Sequence, residues 1–230
     1  DGAIVEDMVP LQEYERIIGE AVEPYSYMKF PYYLPAGYPD GIYRVGPLAR
    51  LNNCDFCGTK KADAALDQFR ALQHDRPVSS SFHFHFARLV EIIFALERMK
   101  ELLEDPNILE TRVRARAREN SNEGIGVAEA PRGTLIHHYK VDDDGLITWA
   151  NLIIATGHNN LAMNQGIKQA AEHFVDGNSL QEGMLNRVEA VIRCYDPCLS
   201  CASHAFGQMP LRVELHDGRG NVLDELRREN

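Results

Sequence analysis

A mainly α architecture with small β hairpins is the fold class this sequence predicts, and three observations carry it. Helical spacing of apolar residues covers four stretches, at 59–75, 80–105, 159–174 and 179–193. Residues rich in β-formers occur only as short pairs flanking turn sequences. A chain of 230 residues with 44% hydrophobic content is long enough to bury one sizeable core.

In chain order, an amphipathic pattern of Leu11, Tyr14, Ile17, Ile18 and Val22 comes first, and it opens so close to Asp1 that the sequence reads as an excerpt of a longer chain. Residues 24–48 carry Pro24, Pro31, Pro35, Gly37, Pro39, Gly41, Gly46 and Pro47 among many tyrosines, so they read as turns and loop. In the 80–105 helix, Phe82, Phe86, Leu89, Ile92, Ile93, Leu96, Met99 and Leu103 recur three or four apart, and that face is expected to be core. Pro106 ends the helix. Beyond it Arg112, Arg114, Arg116 and Arg118 alternate with Val113, Ala115 and Ala117, as in a half-exposed strand. Residues 133–151 hold two β-rich runs about Asp142-Asp143-Asp144-Gly145, a hairpin signal. Val213 and Leu215 against Val222 and Leu223, around Asp217-Gly218-Arg219-Gly220-Asn221, predict a second hairpin.

A formal net charge of −10 excludes a nucleic-acid module, which needs a basic stripe to neutralise phosphates. No run approaches the roughly 20 apolar residues of a bilayer span, and residues 1–30 lack the order of a secretory signal, so a cytoplasmic location is the expectation. Five cysteines, at 54, 57, 194, 198 and 201, then point to reduced thiols engaged in metal or redox chemistry rather than a disulfide framework.

The densest chemistry lies in Asp196-Pro197-Cys198-Leu199-Ser200-Cys201-Ala202-Ser203-His204, with two soft thiolates three residues apart and an imidazole three further on. Spacing alone leaves several readings open: half of a zinc site completed by Cys54 and Cys57, a redox dithiol, another metal, or ordinary buried cysteines. His83 and His85 alternate with phenylalanines, but within a helix positions two apart face different ways, so a core or interface role fits better than a metal site. His137 and His138 sit in the first hairpin as structural residues.

Asp-Pro-Cys-x-x-Cys-x-x-His near the end of a chain resembles the C-terminal signature of nickel–iron hydrogenase large subunits. Three further segments are similar to that family's, in its order: Tyr43-Arg44-Val45-Gly46-Pro47-Leu48-Ala49-Arg50, Glu129-Ala130-Pro131-Arg132-Gly133-Thr134-Leu135, and Thr156-Gly157-His158-Asn159-Asn160. The resemblance covers essentially the whole chain and is closest in wording to the cytoplasmic, bidirectional, NAD-linked group. It implies the C-terminal half of the large-subunit fold over residues 1–204, followed by an extension, 205–230, that a dedicated protease removes after nickel insertion.

The same resemblance implies the site. Cys198 would be a terminal thiolate on nickel and Cys201 would bridge nickel to an iron carrying cyanide and carbon monoxide, while His204 would ligate magnesium or a similar divalent cation. Pro131 and Thr156 look like the residues that pack against and hydrogen-bond the cyanides. Arg132 would hang over the open face between the metals as a fixed charge, and Asp196 would orient a cation or pass a proton. Without the resemblance, Arg132 reads as a surface arginine, Asp196 as a turn residue, Pro131 as a loop proline and Thr156 as a strand end.

The implied reaction is H2 ⇌ 2H+ + 2e−, with electrons leaving through iron–sulfur clusters of a small subunit towards a flavin-containing, NAD(P)-reducing module, and with nickel chaperones serving assembly. The pattern departs from the family in one respect: a nickel cage needs four thiolates, and the N-terminal C-x-x-C segment that supplies the other two, with its proton-relay glutamate, is absent here. Two rival readings are a zinc-stabilised non-enzymatic module built on all four paired cysteines, and a nickel-free hydrogenase-like subunit of a respiratory complex. The retained thiols and Arg132 count against the second.

Overall fold

The computed structural model describes residues 2–116, 121–203 and 211–228. The chain begins with a 3-10 turn, Leu11–Glu13, and a single helical turn α1, Tyr14–Ile17. A small antiparallel pair, β1 (Ile18–Ala21) with β2 (Phe30–Tyr33), follows in register Ile18 to Tyr33. The proline-rich stretch is therefore not wholly loop: Phe30 and the ring of Pro31 are buried, and Pro31 is tolerated because β2 lies at the edge of a two-stranded sheet. Pro47 opens helix α2 (Pro47–Asn53) at a position where its missing N–H leaves nothing unsatisfied.

Helices α3 (Lys60–Arg70) and α4 (His83–Glu104) pack with α2 around Leu48, Leu51, Leu66, Phe69, Phe84, Ala87 and Val90. The face of α4 expected to be core is so only in part: Phe86 packs against the core and Ile93 is half-buried. Phe84, Ala87 and Val90 are buried, while Phe82, Leu89, Ile92, Leu96, Met99 and Leu103 are exposed. The helix is apolar nearly all round, so spacing alone could not select the side that meets α2 and α3.

Residues 111–116 form no strand; Val113 is 86% exposed and the segment pairs with nothing among the described residues, so the alternation of Arg and small residues lacks a partner to stabilise it. Arg118 lies outside the described residues. A sheet of three antiparallel strands comes next, in the order β3 (Glu123–Ala130), β4 (Gly133–Val141), β5 (Ile147–Ile153). The hairpin between β4 and β5 is where the Asp-Gly turn predicts it: Asp142 Oδ1 accepts from the N–H groups of Asp144 (3.1 Å) and Leu146 (2.9 Å), and Gly145 takes φ +79°. Strand β3, with alternate glycines at 124 and 126, offered no such signal. A second, small core of Tyr14, Ile136 and Ile153 lies against this sheet. There the Tyr14 hydroxyl meets His138 Nδ1 at 3.0 Å and His138 Nε2 meets Glu123 at 2.8 Å, which gives His138 the structural role expected of it.

The last third is helical: α5 (Ala155–His158), α6 (Asn160–Phe174), α7 (Glu182–Tyr195) and α8 (Leu199–Ser203). Helices α6 and α7 return to the main core through Ala162, Met163, Ala170, Val191, Cys194 and Tyr195. The predicted C-terminal hairpin forms as β6 (Leu211–His216) and β7 (Val222–Arg228), with Asp217 Oδ1 capping the turn through Arg219 N and Asn221 N. No helix among the described residues is long and apolar enough to cross a membrane.

Candidate metal centre

Helix α7 stops at Asp196, which adopts the left-handed conformation (φ 49°, ψ 53°) and is followed by Pro197, which cannot continue a helix. The chain is thereby turned so that Cys198 stands just before the next short helix, α8, and Cys201 on it, with Cα atoms 5.4 Å apart and their sulfurs joined as a disulfide. Apposition of the two sulfurs is what a shared ligand pair requires once reduced. The N–H of Cys198 donates to Thr156 Oγ1 at 3.1 Å. Thr156 is buried and lies on α5, not at a strand end as the sequence alone suggests.

Arg132 occupies the tight turn between β3 and β4. Its Nε donates to the Asp196 carbonyl at 2.6 Å and lies 3.2 Å from the Asp196 carboxylate. Two of the four segments singled out in the sequence are thus in direct contact through Arg132 and Asp196, and a third joins them through Thr156 and Cys198. Pro131 sits beside them, its carbonyl accepting from Arg50 at 2.9 Å.

The fourth segment, 43–50, clamps the other two in place. Val45 N donates to Asn159 Oδ1 at 2.9 Å, and Asn159 Nδ2 returns to Val45 O at 3.3 Å. The Tyr43 hydroxyl lies 2.5 Å from His158 Nδ1. Burial pushes the His158 pKa down to about 4, against a backbone hydrogen bond with Ile153, so the ring is neutral beside the Tyr43 hydroxyl. Burial likewise drives the Tyr43 hydroxyl far above its ordinary value and keeps it protonated. On the other side, Gly46 (φ +96°) passes so close to the Arg132 turn that a Cβ there would stand 2.7 Å from the Arg132 carbonyl. A Cβ on Gly133 would run into the Val45 side chain.

Arg50 completes the support. Its guanidinium takes both oxygens of Glu91 at 2.6 and 2.8 Å, Glu129 at 2.7 Å, and the carbonyls of Ala130 and Pro131. Desolvation opposes its charge, but the bonds to Glu91 and Glu129 outweigh that and hold its pKa above the usual value. Reasoning from sequence missed Tyr43, Gly46, Arg50, His158 and Asn159 as parts of the site. They lie inside the segments that carry the resemblance, yet their bonds span 41 to 115 residues and no local pattern encodes them.

His204 lies outside the described residues. Among the described residues no group of three or more His, Cys, Asp or Glu side chains is placed to hold a metal ion, so Cys54, Cys57, Cys198 and Cys201 do not gather into the four-thiolate zinc site of the rival reading. The donors that are present fit half of a nickel cage: two soft sulfurs on one turn, backed by a hydroxyl and flanked by a fixed cation.

The description "nickel-dependent hydrogenase" belongs to the family whose model matches residues 8–204. The chain is 47% identical over 209 residues to the beta chain of the NAD-reducing hydrogenase HoxS of Cupriavidus necator, covering 90% of this chain and 43% of that one. It is 44% identical over 225 residues to an iron-sulfur subunit of the F420-non-reducing hydrogenase of Archaeoglobus profundus, covering 94% and 46%. Among solved structures, an NAD+-reducing [NiFe]-hydrogenase in its H2-reduced state superposes with a TM-score of 0.79 at 48% identity over 87% of this chain and 44% of that chain. The chain therefore spans less than half the length of the relatives it matches. With the mainly α fold, the four converging segments and these likenesses in agreement, the chain belongs to the nickel-dependent hydrogenase family.

Proposed function

We propose that this chain supplies half of the thiolate cage, and the polar surroundings, of a nickel–iron hydrogenase active site that interconverts dihydrogen with protons and electrons, in a larger protein that passes the electrons to NAD(P). The observation that carries the reading is the convergence of Cys198 with Thr156 and of Arg132 with Asp196 at one place.

Within that reading Cys198 and Cys201, as thiolates, hold the metals, and His204 binds magnesium or a similar divalent cation. Pro131 and Thr156 would line the pocket that holds the iron with its cyanide and carbon monoxide ligands. When bound, the nickel–iron centre supplies the Lewis acidity and redox capacity that splitting dihydrogen requires. The chain's own residues do the rest. Arg132, whose Nε is fixed by Asp196, presents a permanently charged guanidinium that needs no reorganisation as charge develops. Thr156 holds the backbone of Cys198 so that the thiolate is aimed before the metals arrive. Asp196 anchors Arg132 and offers a carboxylate through which a proton can leave. The likeness to a chain of an NAD-reducing hydrogenase supports NAD(P) as the acceptor, partners in the form of a flavin module and an iron–sulfur small subunit, and a cytoplasmic setting. A processing protease and nickel chaperones belong to the same reading.

The test uses the complete polypeptide with its partner subunits. Nickel analysis and H2-dependent reduction of NAD+ are compared between the natural protein and Cys201→Ser. Nickel near one per chain with H2-dependent NADH formation, both lost in the variant, is expected. A natural protein that holds zinc and no nickel and forms no NADH would sink the reading.

A further inference from the structure

Helix α4 presents a second apolar face that the described residues leave open. Leu89, Ile92, Leu96, Met99 and Leu103 are each between 49% and 72% exposed. With about 3.6 residues per turn they fall on the side of the helix away from buried Phe84, Ala87 and Val90. Their spacing is three, four, three and four residues. A helix lying on a broad globular core repeats its apolar residues more densely, whereas a strict alternation of three and four makes the narrow seam that a single partner helix fills. The seam runs about 21 Å along the axis at about 1.5 Å per residue, and continuous apolar surface of this kind marks an interaction site.

The seam adjoins the candidate centre. Ile92, its second residue, also lines a cavity of about 530 Å3 whose wall includes Glu91, Pro131 and Asp196. Whatever lies along the seam therefore borders the space beside the Arg132 turn. We propose that the seam on α4 seats one long helix from the part of the same polypeptide that has no counterpart in this chain, packed along α4 at a crossing angle of roughly 20°, and that this helix closes the cavity next to the candidate centre. The inference rests on the proposed function in taking this chain as part of a larger catalytic polypeptide.

Length favours that occupant. The match covers 43% of the HoxS beta chain and 44% of the solved NAD+-reducing hydrogenase chain, so more than half of each relative lies outside it. A second copy of this chain gains little on the seam. The charged residues at the positions flanking it are Arg88 and Lys100, of one sign, so two copies bring no opposed pair together to fix a register. A separate subunit on the seam would leave the cavity beside Pro131 and Asp196 to be filled independently. One element of the same polypeptide does both, because the remaining thiolates have to reach the space that the seam borders.

The experiment is photo-crosslinking of the complete polypeptide with its partner subunits, produced with photo-leucine in place of leucine so that no substitution can unfold it. After irradiation the linked peptides are identified by mass spectrometry, both in the band that runs at the mass of one polypeptide and in heavier bands. Leu66 in the main core is the internal control, since it links to its packed neighbours in any folded sample. The expected result is that Leu89, Leu96 and Leu103 link, within one polypeptide, to a single segment with no counterpart in residues 1–230. The attachment point should advance about seven residues along that segment from each leucine to the next, because two helices lying side by side rise equally per residue. Links from these leucines to a partner subunit or to a second copy overturn the proposal. So do links confined to residues 1–230, attachment points that do not advance in this step, or no links from the seam while Leu66 is linked. The readout requires neither nickel nor H2, so a protein that holds no nickel, which sinks the proposed function, still shows or lacks this ladder.

Discussion

Glycine at 46 is dictated by its surroundings: φ +96° with ψ −160° is a region only glycine occupies readily, and the missing Cβ is what lets the Arg132 carbonyl approach. Gly46→Ala should therefore cost about 1–3 kcal/mol from backbone strain, with more from displacement of the Arg132 turn, read as a lowered midpoint in urea unfolding. A midpoint unchanged by the substitution would mean that the close approach does not exist in solution. His158 gives a prediction in pH. Folded, it stays neutral down to about 4, whereas unfolded it takes a proton near its ordinary value of 6.5. Between those values the unfolded chain binds the extra proton, so stability falls as pH drops from 6.5 towards 4, and above 6.5 the contribution vanishes. At roughly 1.36 kcal/mol per unit the loss is about 3 kcal/mol. His158→Gln should flatten the slope of unfolding free energy against pH in that window relative to the natural chain; parallel slopes would show that His158 is accessible to protons when folded. Arg132→Lys in the complete enzyme should retain nickel while turnover falls on the order of a hundredfold, because lysine lacks the planar fork that Asp196 holds. Loss of nickel in proportion to activity would assign Arg132 to assembly instead. Cys198, Thr156, Arg132 and Asp196, which the fold brings together, were legible in the sequence as candidates because they sit in compact motifs. Their supports were not, since Tyr43 and His158 or Arg50 and Glu91 meet only after the chain has folded.

At the scale of elements, periodicity located helices well and their buried faces poorly. Helix α3 alternates apolar and charged residues clearly enough to orient itself, with Ala62, Leu66 and Phe69 inward. Helix α4 carries apolar residues all round, so its orientation is set by the neighbours rather than by its own pattern. Substitutions should report which face is in use: within this chain Phe84→Ala should cost about 3–5 kcal/mol, and Leu96→Ala, 58% exposed, less than about 0.5 kcal/mol. Equal costs in chemical denaturation would mean that both faces are packed. Turns with aspartate and glycine were read correctly, since Asp142 and Asp217 cap their own hairpins through local bonds. The alternation at 111–116 misled because a strand is defined by its partner, and β3 escaped because Gly124 and Gly126 replace the β-branched residues that usually mark one.

For the whole molecule, packing is divided between the helical core around Phe69 and Phe84 and the small cluster under the sheet, and the candidate centre lies where segments 43–46, 131–133 and 156–160 hold the two together. The C-terminal hairpin stands apart from this arrangement. Its strands pair with each other, Leu211, Val213 and Leu215 of β6 are half-buried while Val222 and Leu223 are exposed, and Leu180 N of the body donates to Asp224 Oδ2 at 2.8 Å. A lone two-stranded hairpin is marginal in water, so it contributes little to the stability of the rest: removing residues 205–230 should shift the unfolding free energy by less than about 1 kcal/mol, within the range of surface changes. We expect the extension to act instead on the Cys198–Cys201 turn just before it, keeping that turn from closing over the metals until it is cut after His204, where the family match also ends. Mass spectrometry of the native enzyme from nickel-replete and nickel-starved cultures decides the matter. A chain ending at His204 in the first and extending to Asn230 in the second is the expected pair of masses. Full H2-dependent activity from enzyme that retains residues 205–230 would show that the hairpin is no barrier to closure.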